Sequence, residues 1–182
     1  MALIKRNCST QLKEIKNVNH FSFLVKEHCA TSIPTELVTL STWPKASSTF
    51  DIIFYIKIIS LPQSKFQIPL QFFDPSNPLR RVPGFYINSQ NQIQAYFRTK
   101  STSDFNAISN WEPLAFNVYH RCVMRQQQKT DGSFAVRFWI DGVFKGQKTN
   151  EIPNEVYQDL KILVGETNGD AEYYINRLDY TA

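Results

Sequence analysis

The chain is expected to fold as an all-β sandwich of two antiparallel sheets, and three features carry that expectation. From Phe50 to Ile59, Phe50, Ile52, Phe54, Ile56 and Ile58 fall on one face, and Asp51, Ile53, Tyr55, Lys57 and Ile59 on the other. That period of two marks a strand with one face in a core, whereas a helix would spread the five apolar residues round its circumference. Two Asp-Gly pairs, Asp131-Gly132 and Asp141-Gly142, separate apolar runs, and such pairs adopt the positive φ of tight hairpins with little strain. Fourteen Phe and eight Tyr against two Met favour pleated faces, on which flat rings pack well.

Taken in order, the first strands are expected at Phe21 to Val25, Glu36 to Leu40 and Phe50 to Ile59. Gln67 to Phe73, Gly84 to Ile87, Ile93 to Arg98 and Phe116 to Arg125 follow. The last four are Ser133 to Ile140, Val143 to Lys148, Leu160 to Gly165 and Glu172 to Tyr180. Turn combinations lie between them at Asp74-Pro75-Ser76-Asn77-Pro78, Asn88-Ser89-Gln90-Asn91 and Asn168-Gly169. Helix is hard to place outside Gln11 to Lys16 and a turn near Glu155 to Leu160. Nothing in the chain is rich enough in Gly, Ser or charge to act as a linker, so residues 1–182 are read as one domain.

A formal charge of +4 from 20 basic and 16 acidic side chains is mild, and the bases are scattered. That argues against nucleic acid as partner, because such binders concentrate cations to displace counterions. Arg80-Arg81 is the one adjacent arginine pair, read either as a solvated loop or as a site for a sulfated or sialylated glycan. No apolar run approaches the ~20 residues that span a bilayer, so membrane insertion is not expected. No leader is visible after Lys5 and Arg6, so the expected location is extracellular where a leader has been removed and cytoplasmic otherwise. Cys8, Cys29 and Cys122 permit one disulfide with a free thiol, or three thiols. Asn7-Cys8-Ser9 matches a glycosylation sequon.

The C-terminal half carries an ordered set of features. Asn117-Val118-Tyr119-His120-Arg121-Cys122 opens a strand with an aromatic-His pair, and a polar hairpin leads on to Phe138-Trp139-Ile140-Asp141-Gly142. Leu163-Val164-Gly165 and Ile175-Asn176-Arg177-Leu178 follow. With Phe50-Asp51-Ile52-Ile53-Phe54-Tyr55-Ile56-Lys57 upstream, this order resembles the concanavalin-A-like superfamily, in particular laminin-G and pentraxin domains. The resemblance spans about residues 50 to 180 and implies a jelly-roll sandwich. His120-x-Cys122 matches the start of a pentraxin signature, but Val123, Met124 and Arg125 break its second half. The resemblance implies a partner for Cys122 upstream, a part Cys29 could play.

It also implies a calcium site between Gln90-Asn91 and the loop holding Glu166, Asn168 and Asp170. Calcium takes six to eight oxygen ligands, several of them carboxylates. Glu166, Asp170 and the amide oxygens of Asn91 and Asn168 make a weak site at best, so no cofactor is expected. Zinc would need both His28-Cys29 and His120-x-Cys122. Only the second pair shares a strand face, so packed cysteines and half-buried histidines are the better reading. The Glu-x-Asp-x-x-Glu strand of the related glucanases has no counterpart here, so enzymatic chemistry is not expected.

Glycan binding needs an aromatic ring for the apolar sugar face and polar groups for the hydroxyls. Trp111, flanked by Asn110 and Glu112, is the best such candidate. Asp74 and Asn77, Trp43, and Arg80 with Arg81 are the next, while Trp139 is expected in the core. The expected function is a non-catalytic, lectin-like module for a glycan or a glycosylated or sulfated partner, with self-association left open. The alternatives are a structural or adhesion module for protein contact, and a glycoside hydrolase-like enzyme with an unrecognised site.

Overall fold

The computed structural model describes residues 13–17, 20–24, 38–42, 47–60, 66–77, 82–98, 105–150, 152, 156–164 and 172–181. Among them there is no helix. Thirteen strands run in the order β1 (Lys13–Asn17), β2 (His20–Leu24), β3 (Val38–Thr42), β4 (Phe50–Ser60), β5 (Phe66–Phe73), β6 (Gly84–Asn88) and β7 (Ile93–Arg98). They continue with β8 (Phe105–Ser109), β9 (Tyr119–Gln128), β10 (Phe134–Ile140), β11 (Val143–Asn150), β12 (Lys161–Val164) and β13 (Glu172–Thr181).

These strands form two antiparallel sheets, a seven-stranded one ordered β1-β2-β13-β4-β9-β10-β11 and a six-stranded one ordered β3-β12-β5-β6-β7-β8. The all-β jelly-roll sandwich is therefore as expected. In β4 burial alternates along the whole strand, and Ile52, Phe54 and Ile56 are fully enclosed. Each such side chain stabilises the fold by about 1.5–3 kcal/mol. Phe54 of the seven-stranded sheet meets Phe85 of the six-stranded one edge-on at 4.5 Å, and Phe85 reaches back to Phe138 at 5.9 Å. These three rings tie the sheets together across the core.

The Asp-Gly hairpins form in two ways. Asp141 (φ 53) and Gly142 (φ 81) make the two-residue turn between Ile140 and Val143, with both residues left-handed. Asp131 instead sits in a five-residue connection, where its Oδ1 accepts from the Ser133 amide and hydroxyl and Gly132 takes φ 81.

The helix expected over Gln11 to Lys16 is not formed across its described part. Lys13–Asn17 is a strand paired with β2, because ladder pairing outweighs a weak local preference. No helix forms among the described residues of the 155–160 stretch either, where Tyr157 makes a single bridge to Ser47. Cys122 is a buried free thiol, so the pairing with Cys29 suggested by the resemblance is not made.

Candidate functional site

Following β8, residues 110–118 cross from the six-stranded sheet to β9, and amide side chains fix their path. Asn88 closes the preceding β6–β7 turn: its Oδ1 accepts from the Gln90 and Gln92 amides, and its Nδ2 donates to Gln92 Oε1 at 2.8 Å. Gln92, so oriented, donates from Nε2 to the Trp111 carbonyl at 2.6 Å. Asn110 donates from Nδ2 to the Glu112 carbonyl at 2.7 Å, and Asn91 to the Leu114 carbonyl at 2.6 Å. All three amide residues are buried, so these bonds are shielded from competing water. Asn91 and Asn117 take φ 59 and 60, a conformation that asparagine tolerates better than most residues.

The loop is anchored on its other side as well. Lys145 Nζ donates to Glu112 Oε2 at 2.9 Å. The His120 ring lies between Asp141 Oδ2 at 2.7 Å and the Ala115 carbonyl at 3.0 Å, and the Asn117 amide donates to the Ile58 carbonyl. Leu114 is buried beneath the loop while Trp111 stands 73% exposed above it. A large ring on a fixed backbone is a flat apolar platform open to solvent. Phe116, Val118, Val143 and Phe144 are exposed on this loop and the neighbouring β10–β11 hairpin.

Of the residues the sequence singles out, Asn110, Trp111, Glu112 and Asn91 come together here. Asn110 and Asn91 serve the loop backbone, and Glu112 is held by Lys145. Asn91 Oδ1 is buried with no hydrogen-bond partner among the described residues. Asp74 and Asn77 lie at the opposite end of the six-stranded sheet, where Asp74 Oδ1 accepts from the Ser76 amide, the Ser76 hydroxyl and the Asn77 amide. Asp74 and Ser76 line a cleft of about 370 Å³ with Val156, Gln158 and Asp159. Trp43, Arg80, Arg81, Glu166, Asn168 and Asp170 lie outside the described residues. Among those described, no group of three or more His, Cys, Asp or Glu side chains could hold a metal.

Trp139 is not in the core. It projects half-buried from the outer face of the seven-stranded sheet, against Phe144 at 5.6 Å. The alternation of β10 announces this, because Phe138 and Ile140 are the inward residues. Pairing sets a row of Ile53, Val123, Trp139 and Phe144 across that face. On one side lies the row of Asp51, Arg125, Arg137 and Gln147, on the other Tyr55 and Arg121. Arg125 grips Asp51 through Nε at 2.7 Å and Nη2 at 2.6 Å, and these bonds to Asp51 raise the guanidinium pKa. Arg137 donates from Nε to Gln147 Oε1 at 2.6 Å and from Nη1 to Gln127 Oε1 at 2.8 Å.

No family model matches the chain, and no curated protein matches it. Solved structures share its fold at low identity. The receptor-binding domain of botulinum neurotoxin C/D mosaic serotype is 15% identical with a TM-score of 0.57, over 96% of this chain and 43% of that one. The chain thus spans less than half of that domain's length. The CBM40 of a Ruminococcus gnavus sialidase, bound to α2,3-sialyllactose, is 12% identical with a TM-score of 0.54, over 80% of this chain and 89% of that one. Endo-β-1,4-glucuronan lyase from Trichoderma reesei is 12% identical with a TM-score of 0.51, over 97% and 87%. The jelly-roll sandwich is the property shared with all three.

Proposed function

We propose that the chain is a glycan-binding module that holds its ligand without transforming it, with Trp111 as the stacking platform. The observation that carries this reading is the 73% exposure of Trp111 on a loop whose carbonyls at 111, 112 and 114 are each held by a buried amide. Ordering the platform in advance removes most of the loop entropy that binding would otherwise cost. A sugar ring stacks its C–H face on the indole, and its hydroxyls find the polar groups at the rim. Binding modules among the proteins of similar fold support the same reading at the level of the fold.

A glycan array followed by titration of the hits tests it. Trp111→Ala is expected to weaken binding about tenfold or more, the equivalent of ~1.4 kcal/mol, while Trp111→Phe keeps part of it. A chelator is expected to leave binding unchanged. Release of shortened or unsaturated sugars by the wild-type protein would show an enzyme instead.

A second reading is favoured by the apolar side chains gathered at Trp111, Phe116, Val118, Val143 and Phe144. A cluster of exposed apolar groups on two adjacent loops also suits contact with another protein. Absence of any glycan signal, together with a stable complex in sedimentation that Phe144→Ser disrupts, would select it.

A further inference from the structure

The outer face of the seven-stranded sheet holds two arginines whose charge no described acidic group compensates. Arg125 is neutralised by Asp51, but Arg137 is not: its two partners are the amide oxygens of Gln127 and Gln147. Those oxygens fix the plane of the guanidinium across β9, β10 and β11 without cancelling its charge. Two of its five N–H donors are used among the described residues. Arg121, on the same face of β9, makes no side-chain ion pair with a described residue; its backbone amide meets Asp141. Between the two arginines lies Trp139, half-buried and tilted against Phe144. One cation held in place and a second on the far side of a ring make an anion site with a stacking surface.

We infer that this face is a second binding site, for an acidic oligosaccharide bearing carboxylate or sulfate groups, with Arg121 and Arg137 on the anions and Trp139 beneath a sugar ring. It rests on the glycan reading above for the class of ligand, but uses none of the Trp111 loop. Arg121 and Arg137 stand four residues apart in register along the strands, roughly 13 Å at ~3.3 Å per residue. Sparse charge of that kind suits a glycan with an acid group every few rings. A nucleic acid, with a phosphate at each nucleotide, would leave most of its charges unmatched on this face.

Calorimetric titration with three oligosaccharides of one length, an oligoglucuronide, a sulfated oligoglucan and a neutral oligoglucan, tests the inference. Wild type is expected to bind at least one acidic form about tenfold more tightly than the neutral form, with affinity falling as salt rises. Arg121→Ala and Arg137→Ala should each lower acidic affinity roughly tenfold while leaving neutral affinity unchanged. Arg137→Lys, which keeps the charge but loses the planar fork, should retain only part. Trp111→Ala should leave the acidic preference intact. Thermal unfolding of each variant checks the fold, and both arginines lie on the surface.

Equal acidic affinity in both arginine variants would overturn the inference, and so would equally tight binding of an oligodeoxythymidine. Neutral binding that is lost in Trp111→Ala, with no acidic preference, would overturn this inference and leave the Trp111 reading standing. Absence of binding to all three sugars would overturn this inference, while the Trp111 reading stands or falls on the array.

Discussion

Residues 88, 91, 92 and 110 contribute side-chain amides rather than charge, and that choice explains how Trp111 stays exposed. A neutral amide donates to a carbonyl and can be buried at much lower cost than a charged group. Asn110→Ala removes the Nδ2 donor from the Glu112 carbonyl, a part-buried bond worth about 0.5–1.5 kcal/mol. The expected result is a lower melting temperature and weaker glycan binding, although Asn110 is too buried to meet the ligand. Cys122 gives a second prediction. Burial first, and the nearby Asp141 charge second, push its thiol well above the ordinary value of 9.0. Native protein should therefore resist iodoacetamide at this residue and react only on unfolding, as mass spectrometry would read. As pH rises past 9.0 the unfolded thiol ionises while the folded one does not, so this group's contribution to stability falls with rising pH. The motif Asn110-Trp111-Glu112 was legible in the sequence as a polar-flanked ring. The roles of its flanks were not, because Lys145 lies 33 residues further on and the acceptor of Asn110 is backbone.

Strands with a complete alternating pattern were legible, and β4 is the clearest case. It starts where expected and runs one residue further, to Ser60, which is exposed but still pairs with Glu172 of β13. β8 was not among the expected strands, since its ladder depends on β7. At this scale glycines also acquire meaning. Gly84 on β6 faces Tyr96 across the pair, and a Cβ there would run into the phenol ring. That ring is buried and stacked on Tyr86 at 4.3 Å, so it has little room to retreat. Gly84→Ala is expected to destabilise by about 1–3 kcal/mol, the usual cost of overpacking. Denaturant melts with an unchanged slope and a lower midpoint would bear this out, and an unchanged midpoint would show the ring free to move.

At the scale of the molecule an aromatic bridge, Phe54 to Phe85 to Phe138, joins the two sheets within a larger apolar core. Phe85→Ala is expected to cost about 3–5 kcal/mol, several times a surface change, and calorimetry would read it as a large fall in melting temperature. The layered fold was legible because core-facing alternation recurs in strand after strand. The face of the sheet that carries Arg121, Arg137 and Trp139 was not, because it depends on which strands become neighbours. The bulge at the sheet edge has one more consequence. Between Phe138 and Trp139 the register with β11 slips, so that Lys145 has no opposite residue, and Gly146 at φ 154 packs against Ile108 of the other sheet. A bent edge carrying lysine, drawn in against its neighbouring layer, is a poor template for a foreign strand. Copies of this chain should therefore resist joining edge to edge through β11 into fibrils, even at high protein concentration.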